Sequence, residues 1–532
     1  MKSRYWIIGW IITVVFMLTV IGVIVFKVDP YMHFHRPDTS KYYYVLDNER
    51  SQNDGITKYF DYDAIITGTS MTENFKTSEM DDLFCCESIK VPYSGGGYKE
   101  INDNVKKSIR YNSKLRIVVR GLDISSFYYL RDKDSMRNDM GVYPKYLYDS
   151  NPINDVKYIW NRDIIWNRVY KMMTENNQDG FETGITSFDC YAQWQYKCLF
   201  GINSVCLGNV LINEEGSPIH LSEEERDIIK YNIQQNVTEI AKDNPNITFY
   251  YFFTPYSAAW WAKKKQDGTI YKQVEAEKYI SELILEYDNI KLFSINNRTD
   301  ITCDFNNYRD ESHYGIWINS LLLKWMHDGN YQLTKDNYKA YFNEELNNYL
   351  NMDYSLLNEQ EDYENDFYAA ALLNHELTGA MPLNLLEERE DLIHLNRANI
   401  VDNQYNDKKG IDCIGSLNRG TENELDVETY IMNCEYIGAT INVDNVDKYR
   451  YICFWGKKIR DNGQPTVFVI DEKGRKIKEL SENFLDIDFE WHQYVIDISD
   501  VKGNIKILFN GGYLDKNGSS ESEYIFSNIH LF

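Results

Sequence analysis

The sequence has no CxxC pair and no cluster of Cys and His at zinc-ligand spacing. That argues against a structural zinc module, and neither metal nor cofactor is expected. It has no internal repeat of solenoid period and no low-complexity tract. Basic residues are few against acidic ones, 56 to 81, which leaves a net charge of −25. A field of that sign repels phosphate backbones, so nucleic acid is not expected as a partner. Histidine is rare, nine in 532 residues, and this narrows the choice of any general base. Cysteine is odd in number, nine in all, so at least one is unpaired. Cys190, Cys198 and Cys206 lie close enough in sequence to pair; for most of the others the expectation is a small buried hydrophobe.

Hydrophobic residues make up 43% of the chain and aromatic residues 15%, which indicates folded domains rather than disorder. The length of 532 residues implies two or three folded units. The 43 tyrosines combine an apolar ring with a polar tip and suit polar ligands and wet surfaces. Trp6 to Phe26 is a run of 21 residues without a charge, about 31 Å of helix and enough to cross a bilayer core. Lys2 and Arg4 precede it, which favours a cytoplasmic N-terminus. No small-x-small cleavage pattern follows, so an uncleaved anchor is expected. The remainder of the chain is then expected outside the cell, and the protein single-pass in the cell membrane.

From Asp61 to about Asp328, short apolar runs alternate with amphipathic segments. "DAIITG", "SIKVPYS", "LRIVVRGLD", "ITFYYFFTPYS" and "NIKLFSI" read as strands. Thr72–Phe84, Lys99–Arg110, Leu221–Asp243, Val274–Tyr287 and Tyr314–His327 read as helices, the third opened by Ser222 and Glu225 in a capping box. Such alternation implies a parallel sheet covered on both faces. Pro152 to about Gly201 interrupts it as a mostly helical insertion carrying Trp160, Trp166 and Trp194. The expected domains are a tail and anchor at 1–28, an α/β domain at 29–335, a helical connector at 336–396 and an antiparallel β-sandwich at 397–532.

Two short stretches carry candidate chemistry. In "DAIITGTSMTENF" Ser70 follows a strand, at the edge where open α/β sheets bind ligands. On this stretch alone it reads better as a helix N-cap, with Glu73 in the capping-box position. A nucleophilic serine needs a base, usually His oriented by a carboxylate. Among the nine histidines, His313 alone stands between the last strand and the last helix, in "RDESHYGIW", with Asp310 three residues before it. Asp310, Ser312 and His313 also read as the cap of that helix. A third stretch, "DNERSQNDGI", reads as a solvated linker, or as a flap that turns Arg50 and Asn53 toward substrate.

Taken together, "GTS" after the first strand and "DESH" before the last helix resemble the first and last blocks of the SGNH (GDSL-like) esterase and acyltransferase superfamily. The resemblance covers about Asp61 to Asp328. It implies a three-layer α/β/α fold, with Ser70 as nucleophile, His313 as base and Asp310 as its orienter. It also implies an oxyanion hole formed by the Ser70 N–H and by a glycine after the second strand, for which Gly95 in "PYSGGGY" is the candidate. The family's third block supplies an Asn that donates to the oxyanion. Here the stretch is "RGLDIS", with Asp123 near that place and no Asn. An ionised carboxylate repels an oxyanion, so either another donor completes the hole, or Asp123 is protonated, turned away, or bound to a sugar hydroxyl.

The anchor followed by "FDYDAIITGTSMTENF" resembles anchored SGNH-like proteins of cell-surface polysaccharide clusters. Its layout is similar to alginate-type O-acetyltransferases and the D-alanyl transfer protein of teichoic-acid synthesis. That resemblance implies an extracytoplasmic serine acyltransferase or esterase acting on O-acyl, and in particular O-acetyl, groups of a surface glycan. As a transferase it would need a multi-spanning membrane partner to bring acyl groups across. The C-terminal strands resemble carbohydrate-binding jelly rolls in layout, with Trp455 and Trp491 as stacking candidates or core residues. A second reading stays open: a catalytically degenerate SGNH-like protein that binds polysaccharide.

Overall fold

A computed structural model describes residues 2–136, 143–149, 151–175, 183–189, 191–194 and 200–360, together with the strands and a few turns between 400 and 531. The chain divides into two compact units. The first contains Met1–Gln178, Glu182–Gln195 and Gly201–Glu361, and the second is built mainly from Asp362–Phe532.

In the first unit five apolar runs form the expected parallel sheet: β1 (Ala64–Gly68), β2 (Ser88–Pro92), β3 (Ile117–Leu122), β4 (Thr248–Phe253) and β5 (Ile290–Phe293). The order is β2-β1-β3-β4-β5, and a short antiparallel strand β6 (Gln332–Leu333) closes the β5 edge. β1, β2 and β3 are buried at every position, as strands covered on both faces must be. Two of these buried positions are charged. Arg120 donates to the carbonyls of Asn236 and Tyr98 at 2.7 and 3.2 Å. Lys90 donates to those of Glu73 and Phe75 at 2.5 and 2.8 Å. Each charge is thereby paired with peptide dipoles rather than left bare in the core.

The long helices are α1 (Lys2–Val28), α2 (Glu49–Tyr59), α3 (Thr77–Phe84), α4 (Tyr98–Tyr111), α5 (Glu223–Ile233), α6 (Ala258–Gln266), α7 (Ile270–Ile284), α8 (Ile316–Asp328) and α9 (Tyr338–Asn351). The chain steps from β1 to β2 in one direction and from β2 to β3 in the other. Right-handed crossovers therefore put α3 and α4 on opposite faces of the sheet. Helix α8 packs with α3, while α4 packs with α2 and with the turn at Gln234–Thr238. The crevice at the C-terminal ends of β1 and β3 is the switch point of this order.

Four expectations are corrected. Thr72–Phe84 is not one helix: a 3₁₀ turn covers Ser70–Thr72, and α3 starts only at Thr77. The Glu73 and Phe75 carbonyls are turned to Lys90 instead of down a helix axis. The start of α3 is capped from the insertion, where Asp189 accepts from the Ser78 N–H at 3.0 Å and the Thr77 hydroxyl at 3.0 Å. "DNERSQNDGI" is neither linker nor flap but lies at the start of α2, whose Gln52–Thr57 stretch is buried. The helical connector expected at 336–396 is helical at Tyr338–Asn351, but this helix belongs to the first unit. Helix α9 lies inside the first unit, with Phe342 and Tyr349 fully buried and Tyr349 stacked on Trp261 at 4.5 Å. Leu221–Asp243 opens with the expected Ser222–Glu225 capping box, but widens to a π-helix at Gln234–Thr238.

The insertion contributes short pieces: helical turns at Lys145–Tyr148 and Val156–Ile159, a π-helix at Ile164–Tyr170 running into Lys171–Glu175, and Gly184–Ile185, which pairs with Tyr43–Tyr44. The expected pairing among Cys190, Cys198 and Cys206 turns on two residues outside the described set.

The second unit holds two five-stranded antiparallel sheets. One runs Ile414–Glu422, Val427–Glu435, Ser522–Leu531, Tyr451–Arg460, His492–Asp497, and the other Lys476–Glu479, Thr466–Asp471, Ile505–Asn510, Ile437–Val443, Ile400–Gln404. Ile452 and Phe454, Val467 and Val469, and Ile505 and Ile507 are buried, the two-residue period of a strand with one face inward. Trp491 lies outside the described residues.

Candidate active site

Ser70 sits where β1 ends and the 3₁₀ turn begins. It is not the cap of that turn. Thr69 is, its hydroxyl oxygen accepting from the Met71 N–H at 3.4 Å. The Ser70 side chain is left to point elsewhere, and its Oγ lies 2.8 Å from His313 Nε2. His313 Nδ1 lies 2.9 and 2.8 Å from the two oxygens of Asp310. A carboxylate at that distance fixes the proton on Nδ1 and leaves the Nε2 lone pair to accept from Ser70. Asp310 also accepts from the backbone N–H groups of Ser312 and His313 at 2.9 and 2.8 Å. Burial would raise its pKa, but the His313 ring and these two N–H groups outweigh it and hold the carboxyl down at about 2. The orienting reading of Asp310 is the one the geometry matches, and the cap reading is corrected: the last helix begins at Ile316 with Gly315 as its N-cap and no side-chain cap, and the N–H groups that Asp310 accepts from belong to the loop before it.

The loop carrying His313 is tied to the turn carrying Ser70. The hydroxyl of Tyr314 and the amide of Asn319 both donate to the Met71 carbonyl, each at 3.1 Å. Trp194 of the insertion was not singled out for the site, and no local pattern marks it, since its partners are 119 and 124 residues away. Its indole N–H donates to the Ser70 carbonyl at 3.3 Å. Its ring meets His313 edge-on at 5.5 Å and carries the Arg309 guanidinium 4.8 Å above it.

Asp123 stands at the end of β3, 3% exposed. Its carboxylate accepts from the hydroxyls of Thr69 and Tyr256, and from Thr254 at 3.3 Å. Burial raises its pKa while these donors oppose the rise. Asp123 is thus turned away from the crevice, and the expected sugar contact is corrected: its acceptor sites are engaged from within. Asn53 is corrected likewise. It is fully buried, donates to the Pro92 carbonyl at 2.5 Å and accepts from the Tyr191 hydroxyl at 2.7 Å.

Arg50 lines a cavity of about 1040 Å³, together with Glu49, Glu73, Ser94, Tyr143 and Lys157. Its guanidinium is committed, to Glu100 and the Ser94 carbonyl, each at 2.8 Å. Glu49 accepts from the Ser94 N–H at 2.5 Å. Both backbone groups of Ser94 are therefore held, and Gly95 follows at φ +59°, a conformation that favours glycine. Arg50 thus supports the Gly95 turn rather than reaching for ligand. Burial, then the neighbouring Glu73 carboxyl, raises the Glu49 pKa well above the usual range, and burial raises that of Glu73. Both raised carboxyls stand on the cavity wall, and Glu73 lies three residues after Ser70.

No family model matches the chain, and no curated protein matches it. Among solved structures, 26% of the chain is similar to the family 11 carbohydrate-binding module of the cellulosomal cellulase Lic26A-Cel5E of Clostridium thermocellum, at 12% identity over 92% of that chain with a TM-score of 0.19. A quarter of it, 25%, is similar to a variant of CBM29-2, a family 29 carbohydrate-binding module, at 14% identity over 91% of that chain with a TM-score of 0.16. It also spans 20% of the enzymatically active domain of tailspike protein 4 of bacteriophage CBA120, at 12% identity with a TM-score of 0.19. TM-scores of this size carry no argument about fold or ligand.

Proposed function

We propose that this chain is an SGNH-like serine acyltransferase or esterase, anchored by α1 with its bulk outside the cell, that acts on O-acyl groups of a surface polysaccharide. The observation that carries the reading is the hydrogen-bonded run Ser70 Oγ, His313 Nε2, His313 Nδ1, Asp310 at the sheet's switch point. Such a run activates a serine toward an acyl carbonyl.

Ser70 Oγ adds to the acyl carbon while His313 Nε2 takes its proton. The backbone N–H groups of Ser70 and Gly95 are the proposed donors to the oxyanion. Collapse expels the leaving group, which takes the proton from His313, and leaves an acyl-serine. A sugar hydroxyl or water then gives its proton to His313 and attacks the acyl carbon, releasing Ser70. The cavity lined by Glu73, Ser94 and Tyr143 is the proposed acceptor subsite, its carboxyls and phenol offering the hydrogen-bonding groups that polyhydroxylated ligands need. The second unit is proposed as a β-sandwich that holds the glycan. As a transferase, the chain would draw acyl groups from a multi-spanning partner.

One observation favours the non-catalytic reading. Asp123 stands where an Asn donor would complete the oxyanion hole, and its carboxylate is turned inward. A fluorophosphonate probe separates the two readings. Labelling of the wild-type chain that is lost in Ser70→Ala supports the enzyme. No labelling of the wild type, or equal labelling of both, leaves the polysaccharide-binding scaffold. Acetyl transfer to an oligosaccharide, against acetate release alone, then separates transferase from esterase.

A further inference from the structure

Helix α1 contains the one segment among the described residues long and apolar enough to span a membrane, Arg4–Val28, whose most apolar 18-residue stretch has a mean hydropathy of 2.7. It is joined firmly to the domain. After Val28 the chain turns sharply, and Asp29 accepts from the N–H groups of His33, Phe34 and His35 at 2.7–3.1 Å. The Tyr158 hydroxyl, from the insertion, donates to Asp29 at 2.9 Å and accepts from the Tyr31 N–H at 3.0 Å. From there the insertion runs back along the helix. A Cβ on Gly22 would stand 3.3 Å from an Ile159 methyl, so the small residue admits a close approach. The Trp160 indole N–H donates to the Leu18 carbonyl at 3.2 Å.

Leu18 lies eight residues before Phe26, where the uncharged run ends, or about 12 Å along the helix. If α1 spans a bilayer, Trp160 is therefore below the surface, within the outer leaflet. The residues around it fit that depth. Ile153, Val156, Trp160, Trp166, Tyr170 and Met173 all expose their side chains, Trp166 by 58% and Tyr170 by 55%. Tryptophan and tyrosine favour the headgroup boundary. The same stretch, Ile153–Met173, carries four basic residues against two acidic ones, in a chain of net charge −25. Lys157 and Arg162 on it suit anionic headgroups.

We propose that the segment Ile153–Met173 is a second membrane-contacting element, which lies in the outer leaflet against α1 and fixes the domain's orientation on the lipid surface. The occupant of its apolar face is lipid. The inference rests on reading α1 as a membrane span. It also has a consequence for the site. Lys157, next to the exposed Val156, lines the cavity that contains Glu73 and Ser94. The cavity then borders the membrane surface, where a lipid-linked or membrane-embedded donor would present its head.

The test uses the full chain in vesicles of phosphatidylcholine and phosphatidylglycerol. A photoreactive benzoylphenylalanine is placed singly at positions 10, 166, 170 and 231, all exposed aromatic residues. Position 10 reports insertion of α1, and position 231, on α5, serves as the solvent control. Lipid adducts at 166 and 170 comparable with those at 10, and at least about tenfold above 231, are expected for an interfacial segment. Adducts at 10 with 166 and 170 at the level of 231 would overturn the inference and leave the anchor standing. Covalent chain–chain dimers from 166 or 170 in place of lipid adducts would also overturn it, by assigning the face to a second copy. No adducts at 10 would remove the anchor reading and this inference together.

Discussion

Ser70 Oγ and His313 Nε2 stand 2.8 Å apart across 243 residues of sequence. The contact is held from both sides: Tyr314 and Asn319 grip the Met71 carbonyl, and Asp310 grips the far nitrogen of the ring. The first prediction concerns that far side. Asp310→Asn leaves an amide near His313 Nδ1 and frees the ring to take the other tautomer, with Nε2 protonated and unable to accept from Ser70. On the enzyme reading, kcat falls roughly 10²–10⁴-fold with KM little changed, read with a chromogenic ester.

Asp310 also gives a stability signature that does not depend on activity. Its folded pKa, about 2, lies below the ordinary aspartate value of about 3.9. Its contribution is therefore present above about pH 4 and is lost as pH falls toward 2. The carboxyl is partly exposed, so the effect is small. Melting temperatures of wild type and Asp310→Asn are expected to differ at neutral pH and to converge between about pH 4 and pH 2. A gap that stays constant through that window would show that the carboxylate is not held by His313.

Trp194 tests whether the insertion belongs to the site. Its indole holds the Ser70 carbonyl and its edge packs on His313. Trp194→Phe keeps the ring contact and removes the N–H, while Trp194→Ala removes both. A graded loss in fluorophosphonate labelling rate is expected, about threefold for Phe and more than tenfold for Ala, the size of one and then two lost contacts of about 0.7 kcal/mol and upward. Equal rates in all three chains would make Trp194 a bystander.

The parallel sheet was legible because each strand is a short apolar run bounded by turn residues, and the meeting of Ser70, His313 and Asp310 was legible because they stand in two short blocks, one after a strand and one before a helix. What could not be read were the interactions made across the fold. Nothing in "SIKVPYS" shows that the Lys90 ammonium is buried and bonded to the carbonyls of Glu73 and Phe75, just before α3. The polar "DNERSQNDGI" looked solvated, yet Asn53 and Asp54 are interior, Asn53 held by Pro92 and Tyr191 and Asp54 by Lys107, all from remote segments. Asp189 caps a helix 111 residues before it. Polarity in a window of sequence reports exposure only when such partners are absent, and a single sequence does not display them.

Asp123 is predicted to matter for stability rather than for substrate. Asp123→Ala would strand the hydroxyls of Thr69, Thr254 and Tyr256 in the core. The expected loss is roughly 2–4 kcal/mol, seen as a lower denaturation midpoint with unchanged slope. Asp123→Asn, which keeps an acceptor and lets the hydroxyls rotate, should recover much of it. If Ala instead left stability intact but weakened glycan binding, the inward placement of the carboxylate would not describe its role.

The last prediction lies away from the site, where α7 and α9 meet. Glu277 and Glu345 are both fully buried there. Burial pushes Glu277 up to about 8, and burial followed by repulsion from Glu277 holds Glu345 well above the usual range. Raised values mean that the folded state prefers the protonated acids. Their contribution is therefore complete below the unfolded value of about 4.3, and it is lost as pH rises through about 8. Glu345→Gln replaces one acid with an amide that carries no charge and donates to Glu277. Wild type is expected to lose melting temperature from about pH 4 to pH 8, and the variant to lose less, so that it becomes the more stable chain at the alkaline end. Parallel curves would mean that the two carboxyls ionise without cost, and that water or a cation reaches the α7–α9 seam.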